Sequence, residues 1–188
     1  MLYHVSPFAG LKTLQPKVST HKVGYVYAIE NMVTGLLFGA KWDDFDFILS
    51  TDENGTPIIY ECYPDALKSV YQGKNCSVYF LNDEGFQRNK TSWSAELVCE
   101  NEVQVIEEHV INDLYNRLLD EERNEKLIVH RYEYCAEYRK TISNHIIDRL
   151  IRFEVDLSSI CKSDKRFSKY YKAIIAELIQ ITDGHLLP

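Results

Sequence analysis

The hydrophobic period of the sequence changes near residue 131. Before that point, short runs rich in Val, Ile, Tyr and Phe alternate with turn residues, which is typical of β-strands. After it, apolar residues recur three and four positions apart, the spacing of one helix face. The pattern predicts an α+β protein with a sheet domain over residues 1–130. Residues 131–188 are predicted to form a helical extension that packs on the sheet domain or on a partner.

The first part of the chain contains several strand-like runs. They are Leu2–Val5, Tyr25–Ile29, Phe45–Ser50, Pro57–Tyr63, Ser77–Leu81, Glu96–Cys99 and Val103–Glu107. The third and fourth runs flank Asp52-Glu53-Asn54-Gly55, and Asn-Gly favours a tight hairpin because it tolerates positive φ. These two strands are therefore expected to pair.

Short helices are predicted between the strands. One begins near Glu30 and Asn31 and ends near Gly39. A second covers Pro64–Val70, with the proline at an early helical position where its missing N–H costs nothing. A third covers Leu114–Glu122.

The last third is predicted to fold as a pair of amphipathic helices. The first starts at Glu133, and the second follows an N-cap at Ser163-Asp164 and runs to Gly184. The apolar face of the first helix comprises Tyr138, Ile142, Ile146, Leu150, Phe153 and Leu157. Two such helices joined by a short loop are expected to pack antiparallel, with their apolar faces covered by the sheet or by a second subunit.

Composition excludes several classes of function. The 188 residues carry a formal net charge of −7, which disfavours a protein that mainly grips a nucleic-acid backbone. No apolar run of about 18 residues and no signal-like start is present, so a cytoplasmic protein without a membrane partner is expected. The five cysteines lack the spacing of a zinc site, and no metal is expected.

A polar pair interrupts the first predicted strand. Strand alternation places His4 and Ser6 on one face, and Tyr3 and Val5 on the other. Two polar side chains on a face of this kind indicate a ligand site. A hydrogen-bonded structural histidine is the alternative.

Two further segments carry candidate site residues. Tyr25 and Tyr27 precede the first helix, and Phe38 stands near its end. Glu96 lies in a strand-like segment that follows Trp93. The alternatives are core packing for the aromatic residues and a solvent-facing strand position for the glutamate.

The order and spacing of these segments resemble the ADP-ribosyltransferase-like fold, the superfamily of NAD-using toxins, poly(ADP-ribose) polymerases and RNA 2′-phosphotransferases. The resemblance covers roughly residues 1–118 and implies a mixed or antiparallel split sheet. Its motifs are Leu2-Tyr3-His4-Val5-Ser6 with Gly10-Leu11-x-x-Leu14-x-Pro16, Tyr25-Val26-Tyr27-Ala28 with Leu36-Leu37-Phe38, and Ala95-Glu96-Leu97-Val98 before Val103-Gln104-Val105-Ile106.

The resemblance implies NAD as the substrate and a set of site residues. Its candidate residues are His4, Ser6, Tyr25, Tyr27, Phe38 and Glu96. His4 would hold the nicotinamide ribose, and one of the aromatic residues would stack on nicotinamide. Glu96 would be the late-strand carboxylate, and Glu96 and His4 would be the catalytic residues. Phe38 stands near the position of the family's stacking tyrosine and lacks its hydroxyl.

The expected chemistry suits these residue types. Cleaving nicotinamide from ribose creates an oxocarbenium-like centre, which a carboxylate near the ribose stabilises. Pyrophosphate would need cations, and a nearby loop carries Lys12, Lys17, His21 and Lys22.

These implications predict a protein that binds NAD or an ADP-ribose compound and transfers ADP-ribose to an unknown acceptor. The alternative is a non-catalytic binding or interaction module on the same fold, with the helical tail as a homo-oligomer or partner surface. RNA 2′-phosphotransfer is disfavoured, because it needs several basic residues around a phosphate and this chain has only scattered lysines.

Overall fold

The computed structural model describes residues 1–18, 23–91, 93–132 and 136–181. The chain divides into two compact units, each built from three segments. The first unit comprises residues 1–41, 51–57 and 67–128, and the second comprises 42–50, 58–66 and 129–188. Antiparallel sheets and short helices make up both, so the predicted α+β class is confirmed.

The described strands and helices have the following bounds. The strands are β1 (Leu2–Ser6), β2 (Thr13–Leu14), β3 (Lys17–Val18), β4 (Gly24–Ile29), β5 (Phe47–Thr51), β6 (Pro57–Glu61), β7 (Cys76–Leu81), β8 (Gln87–Arg88), β9 (Glu96–Cys99), β10 (Val103–Gln104), β11 (Glu107–Ile111) and β12 (Ile128–His130). The α-helices are α1 (Met32–Leu36), α2 (Ala66–Tyr71), α3 (Leu114–Arg123), α4 (Arg139–Arg152), α5 (Leu157–Ser163), α6 (Lys165–Lys169) and α7 (Lys172–Ile181). Leu37–Gly39 and Ala136–Tyr138 form 3₁₀ turns.

The first unit is built on a sheet with the strand order β11-β7-β1-β4-β9-β8, in which β3 also pairs with β4. One face carries the hydrophobic core, which includes Leu2, Leu14, Val26, Ala28, Tyr79, Leu81, Leu97, Cys99 and Val103. The short pair β2 and β10 contributes Leu14 and Val103 to that core. Helix α1 packs against the opposite face, which carries Val5 and Ile29.

The predicted hairpin and first helix are confirmed. Strands β5 and β6 are neighbours in a three-stranded sheet, and the loop between them contains Gly55 at φ +79°. The side chain of Asn31 caps α1 by accepting hydrogen bonds from the backbone N–H groups of Val33 and Thr34. Both features depend on residues that are close together in the sequence.

The predicted strand Val103–Glu107 is wrong, because the chain changes partner within it. Val103 and Gln104 pair with β2, and the N–H of Val105 donates to the carbonyl of Lys12 (3.0 Å). The N–H of Ile106 then donates to the carbonyl of Phe80 (2.9 Å), and β11 continues along β7 to Ile111. Two short strands therefore replace the predicted one.

The predicted helical position of Pro64 is also wrong. Helix α2 begins at Ala66, and Asp65 before it has φ +58°, outside the right-handed helical region. The N–H of Ala66 donates to the carbonyl of Tyr63 (3.3 Å) and closes a turn. The proline thus lies in the turn that precedes the helix.

The predicted helical pair is replaced by four shorter helices in the described part of the tail, α4 to α7. Helix α4 ends at Arg152, and Glu154 after it has φ +49°, which a continuing helix cannot contain. Asp156 then caps α5, and Asp164 caps α6 as predicted. The expected helix start at Glu133 and helix end at Gly184 lie outside the described residues.

The second unit combines residues 129–188 with 42–50 and 58–66, two segments that the sequence pattern assigns to the sheet domain. The division of the chain into domains 1–130 and 131–188 stays a prediction. No helix in the described ranges has the length and apolar character that crossing a bilayer requires.

Candidate functional site

A cavity of about 230 Å³ lies beside β1 in the first unit. Its walls come from β1, β4, α1, the 3₁₀ turn after α1 and the segment that leads into β9. They include His4, Tyr27, Phe38, Trp93 and Glu96. Residues from three distant parts of the sequence therefore meet at one place.

The cavity lies where the pairing between two central strands stops. Strand β1 pairs with β7 along its whole length, from Leu2 to Ser6. In the described residues, β1 and β4 are paired at one position only, Tyr3 opposite Ile29. One residue further along β1, the Nδ1 atom of His4 lies 2.8 Å from the carbonyl oxygen of Tyr27. A side chain thus bridges the two strands where the backbone ladder has ended.

This contact determines the tautomer of His4, and burial determines its protonation state. A carbonyl oxygen can only accept a hydrogen bond, so Nδ1 carries the proton and donates a hydrogen bond to the backbone carbonyl of Tyr27. Burial lowers the pKa of His4 below 6.5, and the imidazole is therefore neutral at pH 7. Nε2 is then left with a lone pair, and it makes no hydrogen bond with any residue that the structure describes. It can accept a hydrogen bond from a ligand hydroxyl.

Aromatic side chains form one wall of the cavity. The rings of Phe38 and Trp93 are in contact, with centroids 5.4 Å apart, and Phe38 is 42 % exposed. The hydroxyl of Tyr71 donates to the carbonyl of Leu37 (2.7 Å) and holds the turn that carries Phe38. The wall therefore presents a fixed aromatic surface to which a planar ring can bind.

Glu96 lies at the start of β9, opposite Ile29 of β4. Its N–H donates to the carbonyl of Trp93 (3.1 Å), which turns the chain into the strand. Burial raises the pKa of Tyr27, and the negative charge of Glu96 raises it further. The cavity thus combines a carboxylate with a phenol that stays protonated at neutral pH.

Two of the predicted site residues do not line this cavity. Ser6 is buried, and its Oγ accepts a hydrogen bond from the N–H of Phe8 (3.2 Å) in the turn after β1. Tyr25 is buried and packs edge-on against the ring of Tyr27, with centroids 6.0 Å apart. The structure therefore brings together His4, Tyr27, Phe38 and Glu96.

The structure describes two of the four basic loop residues, Lys12 and Lys17. Lys17 lies in β3 opposite Tyr25, and its positive charge adds to the lowering of the pKa of His4. Lys12 lies near Glu108, where its charge contributes to lowering the pKa of that carboxyl. His21 and Lys22 lie outside the described residues.

Gly35 is a site residue that the sequence interpretation missed. It lines the cavity from α1, and a Cβ added to it would lie 3.1 Å from Cγ2 of Val5 and 3.2 Å from Cγ2 of Ile29. The absence of a side chain lets α1 approach the sheet closely. A glycine in the middle of a predicted helix was the available signal, because it lowers helix stability unless packing requires it.

Within the described ranges, no group of His, Cys, Asp and Glu side chains is arranged to hold a metal ion. Comparisons of the chain with protein-family models, with curated proteins and with solved structures give no significant match.

Proposed function

We propose that this chain binds NAD or a related ADP-ribose compound in the cavity beside β1 and transfers ADP-ribose to an acceptor. The proposal includes a sheet of the ADP-ribosyltransferase-like type, in which two central strands part around the ligand. It is supported by one observation above all. His4, Phe38 and Glu96, which the resemblance takes from three separate motifs, line one cavity at the place where the β1–β4 ladder stops.

In this proposal His4 binds the nicotinamide ribose. Its neutral imidazole has Nε2 as an acceptor, and a ribose hydroxyl is a hydrogen-bond donor of the matching kind. The contact with Tyr27 holds the tautomer, so the ring is oriented before the ligand arrives.

The aromatic wall would take the nicotinamide ring. Phe38 offers a π face at the mouth of the cavity, and Tyr27 lines the same cavity. At about 230 Å³ the cavity is smaller than the roughly 300–1,000 Å³ of sites for drug-sized ligands. In this proposal the cavity would take the nicotinamide and its ribose, and the remainder of a dinucleotide would extend out of it.

Glu96 would be the catalytic carboxylate. The bond between the anomeric carbon and the nicotinamide nitrogen breaks, and its electron pair leaves with neutral nicotinamide. The positive charge that develops on the ribose is stabilised by the carboxylate. A nucleophilic atom of the acceptor then bonds to the anomeric carbon and gives up its proton.

Replacing Glu96 by glutamine tests this mechanism. Glu96→Gln keeps the size of the side chain and removes its charge, so nicotinamide release from labelled NAD should fall by about 100-fold or more. Glu100→Gln is the matched control, because Glu100 is exposed and lies outside the cavity. Glu96→Gln protein with wild-type turnover would contradict the assignment.

A second function is favoured by one residue. Phe38 lacks the hydroxyl of the tyrosine that the family has near this position, and a binding module without transfer activity would not need it. Calorimetry with NAD and with ADP-ribose separates the two functions. A pure binding module would bind either compound without releasing nicotinamide. The wild-type chain and Glu96→Gln would then both show no turnover.

A further inference from the structure

A second cavity, of about 440 Å³, adjoins the first in the same unit. Phe38 lines both cavities. The remaining wall comes from Pro7 after β1, from the segment that ends at Lys41, and from Lys74 and Asn75 before β7. The two cavities therefore meet at Phe38.

The second cavity is cationic in a chain that is acidic overall. Lys41 and Lys74 line it, and none of the described residues that line it is acidic, although the chain has a net charge of −7. In the part of the chain that the structure describes, neither lysine ammonium group has an ion-pair or hydrogen-bond partner. Both are exposed and available to an anion.

The backbone that carries these lysines is held in place. The N–H of Lys74 donates to the carbonyl of Tyr71 (3.1 Å), and its carbonyl accepts from the N–H of Leu114 (2.9 Å). A Cβ added to Gly39 would lie 2.8 Å from Sγ of Cys76, so the turn before Lys41 is packed without spare room. Lys74 is therefore attached to a fixed backbone position, and Lys41 follows a tightly packed turn.

We propose that the second cavity binds a phosphate group of a phosphorylated ligand. Lysine recognises phosphate as a point charge, and the side-chain amide of Asn75 adds a donor. Because Phe38 is shared, two sources of the phosphate fit: the diphosphate of the compound in the first cavity, or a phosphorylated acceptor. The proposal depends on the charges of this cavity and does not require that the first cavity binds NAD.

Calorimetric titration with inorganic pyrophosphate tests the site. The wild-type chain should bind pyrophosphate, and Lys41→Met and Lys74→Met should each weaken binding by about tenfold or more. Lys126→Met is the matched control, because Lys126 is exposed and lies outside both cavities, and it should leave the affinity unchanged. Lys74→Arg keeps the charge and should keep binding. Equal affinity in all of these proteins, or no binding by the wild-type chain, would overturn the proposal.

A competition experiment identifies the source of the phosphate. If it belongs to the compound in the first cavity, NAD will displace pyrophosphate. If it belongs to an acceptor, NAD and pyrophosphate will bind together. Lysine-dependent binding of pyrophosphate by a chain that binds neither NAD nor ADP-ribose would refute the proposed function and still support the phosphate site.

Discussion

His4 shows how one hydrogen bond defines the chemistry of a side chain. The carbonyl of Tyr27 lies 2.8 Å from Nδ1 and accepts a hydrogen bond from it, and burial lowers the pKa of the imidazole. Nε2 is thereby an acceptor at neutral pH and becomes a donor only when the ring is protonated. The sequence indicated a polar residue on an apolar strand, but the tautomer follows from a carbonyl 23 positions away.

The state of His4 predicts how ligand affinity depends on pH. Because burial lowers the pKa below 6.5, the acceptor form predominates at neutral pH and is lost as the pH falls through the lowered pKa. Affinity for NAD, measured by calorimetry, should be constant between about pH 7 and pH 8 and should fall in more acidic solution. His4→Gln should bind more weakly without this acid loss.

His145 is the control residue for that measurement. Burial lowers the pKa of His145, as it does that of His4. For both residues, protonation in acid solution therefore lowers the stability of the folded protein. His145 lies in the second unit, outside the cavity. His145→Gln should therefore keep the wild-type pH dependence of binding, and an unchanged acid loss in His4→Gln would contradict the assignment to His4.

At the scale of elements, the approach of α1 to the sheet shapes the cavity. Gly35 places the helix against Val5 and Ile29, and Asn31 fixes the start of the helix. The helix itself was predictable, since its cap and its apolar residues are local in the sequence. How closely the helix approaches the sheet was not predictable, because that distance depends on how the strands pair, and local sequence patterns do not specify the pairing.

A larger side chain at Gly35 should therefore damage both stability and binding. Gly35→Val would press on Val5 and Ile29, and overpacking of this kind costs about 1–3 kcal/mol of unfolding free energy. Urea denaturation measures that loss, and calorimetry with NAD should show weaker binding. Gly35→Ala should destabilise the protein less, because the higher helix propensity of alanine offsets part of the steric crowding. Wild-type affinity in folded Gly35→Val would show that the position of α1 does not define the cavity.

At the scale of the whole molecule, the second unit is assembled from three separated segments. Arg166 connects two of them, because it forms ion pairs with Asp43 (2.8 Å), Asp46 (2.7 Å) and Asp164 (2.6 Å). The hydroxyl of Tyr63, from the third segment, donates to the same Asp46 carboxylate (2.9 Å). One partly buried charge cluster thus holds residues that are up to 123 positions apart.

Removing the positive charge of this cluster should destabilise the protein strongly. Arg166→Met would leave the buried Asp46 carboxylate without its cation, and breaking such a pair costs about 3–5 kcal/mol. Arg123→Met is the control, because its ion pair with Asp120 is exposed and should contribute about 1 kcal/mol or less. Chemical denaturation of both variants measures the difference, and equal stability would show that the cluster does not hold the unit together.

Local patterns by themselves determined the α+β class, the hairpin at residues 52–55 and the cap at Asp164, because each depends on residues within a few positions of one another. The tertiary structure decided that the β1–β4 ladder stops at His4 and that Ser6 and Tyr25 lie outside the cavity. It also decided that residues 42–50 belong with the C-terminal helices. These features rest on hydrogen bonds, packing and ion pairs between residues far apart in the chain, which no local pattern contains.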